Sequence, residues 1–226
     1  MRESRDSVGD TPTVGKRILR INRALRIQST IKFRRHGCTR SAASPEYVAK
    51  NYLGRQFHAD APNTKWLTDV TEFKYYVGPE VRKLYLSAIL DLYDRRIVSF
   101  AIRDHNDNKL VFDTFAAAVA AEPGAHPLFH SDRGFQYTSA VFHQKLQTAG
   151  MKQSMSRVAR CIDNGPMEGF WGILKRERYY GYKFTDRTQL MQMITGYIDF
   201  YNYHRLQRRL SIMTPMEFHQ HFALAA

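Results

Sequence analysis

The sequence predicts an α/β fold, a five-stranded mixed sheet flanked by helices, with a basic helical segment before it and a helical tail after it. Three observations carry that prediction. Three strand-like runs follow one another through tight turns, so they pair as antiparallel neighbours. Helical and strand-like runs then alternate, the order of a layered α/β or α+β domain. The 226 residues are 43% hydrophobic, enough to fill a core in one good-sized domain with an appendage.

Residues 1–13 are polar and turn-rich and read as poorly ordered. From Val14 to Arg35, Ile18, Ile21 and Leu25 recur at helical spacing while Lys16, Arg17, Arg20, Arg23 and Arg26 take the other faces. This is a basic amphipathic helix, either a DNA-contacting one, through Arg20 and Arg23, or a solvated helix packed on a core. Ser44 and Pro45 then read as the N-cap and first position of a helix over "SPEYVAKNYL". "GRQFHADAPNTK" reads as a linker.

The centre begins with strands at 66–76 and 83–94, joined through Gly78-Pro79, and a third at 95–103 after a Tyr93-Asp94-Arg95 turn. A helix over 107–122 is closed by Pro123-Gly124, a short buried strand follows at 127–132, and a helix over 139–150 ends at Gly150. A last strand at 152–156 precedes a helix from about Pro166 to Tyr180, started by Asp163-Asn164-Gly165-Pro166. The tail reads as one long helix over 187–210 with a basic end, then another begun by Thr214-Pro215.

Charge narrows the class of partner. With 34 Lys and Arg against 21 Asp and Glu the formal charge is +13, which points to a polyanion, nucleic acid before membrane. The excess is +8 in residues 1–60, +1 in 61–170 and +4 in 171–226, so a nearly neutral centre lies between basic flanks. Cys38 and Cys161 are far apart and read as free thiols of a reducing compartment; His36 and Cys38 lack a second ligand pair at zinc spacing. With no apolar run of membrane-spanning length and no signal-peptide core, the expected location is cytoplasmic.

Three acids stand where a sheet would gather them. Asp69 lies inside the first strand in "WLTDVTEF", Asp132 ends the fourth in "FHSDRGFQY", and Glu168 sits in the first turn of a helix in "DNGPMEGFWGILKRE". A buried strand Asp is costly unless it is paired or binds a metal, and strand ends of α/β sheets are where ligands collect. Any one of these acids taken alone reads as a cap or a surface carboxylate. Asp91 and Asp94 are rival partners for Asp69, although "DLYDRR" reads as a turn with its own Arg partners. His130 is either a general base or a structural residue, and Gly134 and Gln136 shape the turn after Asp132. Trp171 and Lys175 share roughly the face of Glu168; Trp171 reads as core. Lys175 reads as a DNA contact or a solvated lysine, and Asn164 as a helix cap or a substrate contact.

There are 62 residues between Asp69 and Asp132 and 35 between Asp132 and Glu168. The three blocks in this order resemble the DD(35)E core of retroviral-integrase-like transposases, most closely the second-frame product of the "IS-three" group of bacterial insertion sequences. "YIDFYNYHRLQRRLSIMTPMEF" is similar to that group's tail, and the resemblance covers about residues 44–220. The chain departs from the group's usual form at "SRVAR" (156–160), where a Gly and an Asn are common before the Cys, and at Gly169, where Ser is usual.

The resemblance implies an RNase H-like catalytic core over residues 59–180, preceded at 1–58 by a basic helical segment like a shortened helix-turn-helix module and followed at 181–226 by a helical extension. It implies a Mg²⁺-dependent DNA transposase, with Mn²⁺ as a substitute, that cuts element ends and joins 3′ hydroxyls to target DNA. Asp69 would bridge two ions, Asp132 would hold one and Glu168 the other, the hard-oxygen ligand set that Mg²⁺ takes and that in-line phosphoryl displacement needs. Lys175 stands where similar integrases contact the element end. The implied partners are terminal inverted repeats, target DNA, further copies of the chain, and the upstream-frame protein or its frameshift fusion. An RNase H-like nuclease and a catalytically inactive DNA-binding remnant are the competing readings.

Overall fold

Strand alternation dictates the architecture. In the computed structural model, which describes residues 13–27, 45–157 and 161–225, β1 (Lys65–Val77), β2 (Glu80–Asp91) and β3 (Ile97–Arg103) form an antiparallel meander. Gly78, at φ +59°, supplies the left-handed backbone that the two-residue turn between Val77 and Glu80 requires. β4 (Leu128–Ser131) returns parallel to β1, and β5 (Lys152–Met155) parallel to β4, giving the order β3-β2-β1-β4-β5.

Because successive side chains leave opposite faces of a strand, the sheet has two cores. On one face Leu67 and Phe73 of β1 and Leu84, Leu86, Ala88 and Leu90 of β2 pack with α4 (Gly165–Leu174) and α5 (Arg187–Tyr203). On the other, Trp66, Ile89 and Phe129 pack with α2 (Asn108–Ala121) and α3 (Ala140–Thr148). Asp107 and Ser139 cap α2 and α3 through side-chain acceptors. α4 runs on into a π-helical turn, Lys175–Tyr179, and α6 (Pro215–Ala225) closes the fold.

The remaining helix, α1 (Thr13–Ala24), is amphipathic as the spacing requires, with Arg20 and Arg23 exposed, but it stops short of the expected span: Leu25 and Arg26 form a turn, Arg26 at φ +52°. Residues 28–35 of the longer helix expected there, and Ser44, lie outside the described residues. The chain divides into two compact units, residues 1–36 and 37–226.

Two helix expectations are corrected. Residues 45–53 are not helical. They form an extended strap whose backbone is claimed by the sheet: Met155 N donates to Lys50 O (3.3 Å), Tyr47 N to Thr138 O (2.9 Å), and the amides of Tyr52 and Leu53 to Ser154 Oγ (3.0 and 3.1 Å). Those tertiary bonds replace the local ladder that Ser44-Pro45 predicts. The long tail helix stops at Tyr203 rather than at 210. Asn202 is used to seal β3, accepting from Ile97 N and donating to Ile97 O, and Arg205 turns to Glu177 at 2.7 Å, so the chain folds back through a Gln207–Met213 bridge. The second strand also begins earlier and ends earlier than its expected 83–94, at Glu80 and Asp91.

Candidate active site

Parallel register brings the first two acids level. Leu67 of β1 is opposite His130 of β4; two residues further along each strand stand Asp69 and Asp132, just where the strands part. Asp69 leaves β1 on the face that carries α4, as Leu67 and Phe73 do. Its partner across the antiparallel pair is Ala88, whose short side chain leaves room beside the carboxylate.

The two carboxylates disturb each other. Asp69 is raised to about 8, first by burial and next by the charge of Asp132; bonds from Val70 N (2.8 Å to Oδ1) and Trp171 Nε1 (3.1 Å to Oδ2) oppose the rise, and Glu168 adds the smallest push. Burial also raises Asp132 and Glu168. Like-charged acids held half out of water are an arrangement that folding alone does not favour.

Asp132 is fixed by a turn on its own carboxylate, Oδ1 accepting from Gly134 N at 2.8 Å. A Cβ on residue 134 would stand 3.0 Å from that oxygen and 3.2 Å from Gln136 Oε1, so glycine permits the approach. Behind the pair, Tyr137 shares a 3.2 Å hydrogen bond with Thr68 Oγ1, and Thr68 Oγ1 donates to Ala88 O at 3.0 Å.

Glu168 projects from the exposed side of the first turn of α4. Asn164 occupies the N-cap position but makes no cap bond; the expected cap is corrected, because its Nδ2 donates instead to Thr68 O at 3.0 Å, next to Asp69. With 3% exposure, Asn164 is buried between helix and strand rather than presented to a ligand. Asp163 beside it is wholly buried, accepting from Arg55 Nε (2.6 Å), Arg157 Nε (2.9 Å) and Asn51 Nδ2 (3.1 Å), and these guanidiniums hold its carboxyl far below the usual range. Lys175 lies back on β1, its Nζ 2.6 Å from Thr71 Oγ1 and 5.0 Å over the Phe73 ring, and burial lowers its pKa.

The rival acids are elsewhere engaged. Asp91 accepts from Asn63 N (2.6 Å), Trp66 Nε1 (3.2 Å) and Tyr93 N (2.7 Å), and Asp94 pairs with Arg96 and His219, so both serve the β2–β3 turn. His130 is buried between Ser154 Oγ (2.8 Å) and Ser156 Oγ (3.1 Å), and its pKa falls to about 4 through burial, the state of a neutral structural imidazole. Sequence reasoning missed the Trp171–Asp69 bond, the Asp163 hub and Thr68–Tyr137. The first had a faint signal, an indole three residues after the helical acid; the others depend on partners far away in the chain.

Two integrase core domain models match the chain, one over residues 59–161 and the other over 168–222. The putative transposase InsK for insertion sequence element IS150 of Escherichia coli is 36% identical over 204 residues, which span 90% of this chain and 70% of the relative. The chain belongs to the integrase-core transposases of insertion sequences. An uncharacterized transposase-like protein of Haemophilus influenzae is 40% identical over 172 residues, spanning 76% of this transposase and 78% of the relative. The HTLV-2 integrase catalytic core domain, solved in complex with magnesium, overlays with a TM-score of 0.54 at 20% identity, across 71% of the transposase and 99% of that chain. That likeness establishes the RNase H-like α/β fold. The transposase is a DNA-acting polynucleotidyl transferase, and among the described residues no helix is long and apolar enough to cross a membrane.

Proposed function

We propose that Asp69, Asp132 and Glu168 are the catalytic carboxylates and that they hold Mg²⁺, with Mn²⁺ as a substitute, for cleavage at insertion-sequence ends and strand transfer into target DNA. The observation that carries this is the level placement of Asp69 and Asp132 at the parting of two parallel strands, with Asp69 raised to about 8. Their donor chemistry fits the ion: hard oxygens from two strands and a helix, with a repulsion that a divalent cation would relieve. Glu168 stands on the exposed side of the first turn of α4, and substrate phosphate is the natural complement to such a set. When bound, two ions supply activation of the attacking hydroxyl and stabilisation of the leaving 3′ oxygen.

The chain's own residues do the rest. Trp171 and Val70 N orient Asp69, Gly134 N orients Asp132, and Asn164 holds α4 against β1. Lys175 would meet the element end beside the acids. Arg20 and Arg23, exposed on α1, would add sequence-independent phosphate grip. The partners are terminal inverted repeats, target DNA, further copies of the chain, and the upstream-frame protein or its fusion; the compartment is the cytoplasm, at the nucleoid.

The test is a labelled duplex carrying the element end, incubated with Mg²⁺ and either wild type or Glu168→Gln. Joined product from wild type alone supports the reading. Cleavage without joining supports a nuclease; bound DNA without product from either protein supports a remnant or an enzyme that needs its upstream-frame fusion, and the same assay with the fused protein separates the two.

A further inference from the structure

Beyond α4 the chain sets three cations, Lys175, Arg176 and Arg178, before three rings, Tyr179, Tyr180 and Tyr182, and closes with Lys183. Part of this run is an anchored base. Tyr179 Oη accepts from Lys74 N (2.8 Å) and donates to Lys74 O (3.0 Å), and Tyr76 N donates to Phe184 O (2.9 Å), so the segment is stitched to the free edge of β1. The Tyr179 ring meets Phe73 edge-on at 5.0 Å and stacks against Phe184 at 5.8 Å.

From that base two rings face water. Tyr182 is 69% exposed and Tyr180 49%, on either side of Gly181, whose φ of +94° makes the reversal that presents them. Burying either ring would be favourable, and neither is buried. Among the described residues no carboxylate pairs with the neighbouring cations Arg176, Arg178 and Lys183. Glu177, the acid between Arg176 and Arg178, is turned to Arg205 (2.7 Å) and Tyr197 Oη (2.7 Å), while Arg178 lies 5.9 Å over Phe200 and Lys183 5.2 Å over Tyr76. Rigidly seated, solvent-facing aromatics among cations are what unpaired bases stack upon, the rings taking base faces and the cations the backbone.

We infer that Tyr180 and Tyr182 form a stacking platform for unpaired bases of the DNA strand that leaves Glu168 along α4, with Arg176, Arg178 and Lys183 holding its phosphates. The inference rests on the active-site reading for the strand's path, but its binding test does not depend on catalysis. The full chain is titrated with a blunt element-end duplex and with the same duplex carrying a short single-stranded extension, at several salt concentrations.

Wild type binds the extended duplex more tightly. Tyr182→Ala loses roughly tenfold on that duplex alone, Tyr182→Phe restores it, and neither changes the salt slope, whereas Lys183→Gln lowers the slope by about 1. Equal loss on both duplexes, no loss, or no wild-type preference for the extension overturns the platform. Glu168→Gln should keep the preference for the extended duplex over the blunt one and join neither. If it still joins, the carboxylate reading fails while the platform stands or falls on the binding comparison.

Discussion

Trp171 donates its indole N–H to Asp69 Oδ2 across 3.1 Å, tying the helix that carries Glu168 to the strand that carries its partner acid. A hydrogen bond to a charged group contributes about 1.5–3 kcal/mol, and this one favours the ionised Asp69. Trp171→Phe should keep the packing against Phe170 and slow strand transfer tenfold or more at unchanged DNA affinity. Its pH–rate profile should have the acid limb moved to higher pH. An unmoved limb would make Trp171 mere filling.

Asp69 also predicts how stability follows pH. Its folded pKa is about 8 against roughly 3.9 in an unfolded chain, so between those values the folded state keeps a proton that the unfolded state releases. Stability of the metal-free protein therefore falls as pH rises from about 4 to about 8. Thermal melts at pH 8 should show Asp69→Asn more stable than wild type yet unable to join DNA. Added Mg²⁺ should raise the wild-type melt and leave that of the variant nearly unmoved.

Asn164 separates positioning from contact. Asn164→Leu keeps the size and removes the donor to Thr68 O without adding a charge, a loss of about 1–3 kcal/mol where a buried acceptor is left unpaired. Joining should slow while affinity for the duplex holds. A matching drop in affinity, measured by titration, would instead make Asn164 a DNA contact.

For the Asp163 hub the sign is opposite. Its guanidinium partners depress its pKa, so its stabilisation is complete above the ordinary carboxylate value of about 4 and is lost as pH falls below it toward the depressed folded value. Asp163→Asn should lower stability near neutral pH by about 1–3 kcal/mol, since its partners Arg55 and Arg157 are themselves half exposed. The difference from wild type should shrink in acid, as chemical denaturation at two pH values would show.

The meander, the alternation after it and the glycine turns were legible because their signals are local: periodicity, caps and turn residues. Asp69, Asp132 and Glu168 could be picked out by spacing and resemblance, but spacing does not contain register. Only the pairing of Leu67 with His130 sets two of the acids side by side. The strap over 45–53 was misread because its helix signal was local while its hydrogen-bond partners, Thr138, Ser154 and Met155, lie nearly a hundred residues away or more. Asn164 was misread for the same reason, since a cap motif does not reveal that a strand carbonyl will claim the amide.

The strap has a practical bearing on any shortened form of the protein. The family match begins at residue 59, and a fragment cut there would lose Lys50 O and the amides of Tyr52 and Leu53 that cover β5. The Met155 amide on the edge strand would then be unpaired and free to recruit an edge from another molecule, the usual start of precipitation in sheet proteins. A catalytic fragment begun at residue 45 carries its own chaperone along that edge.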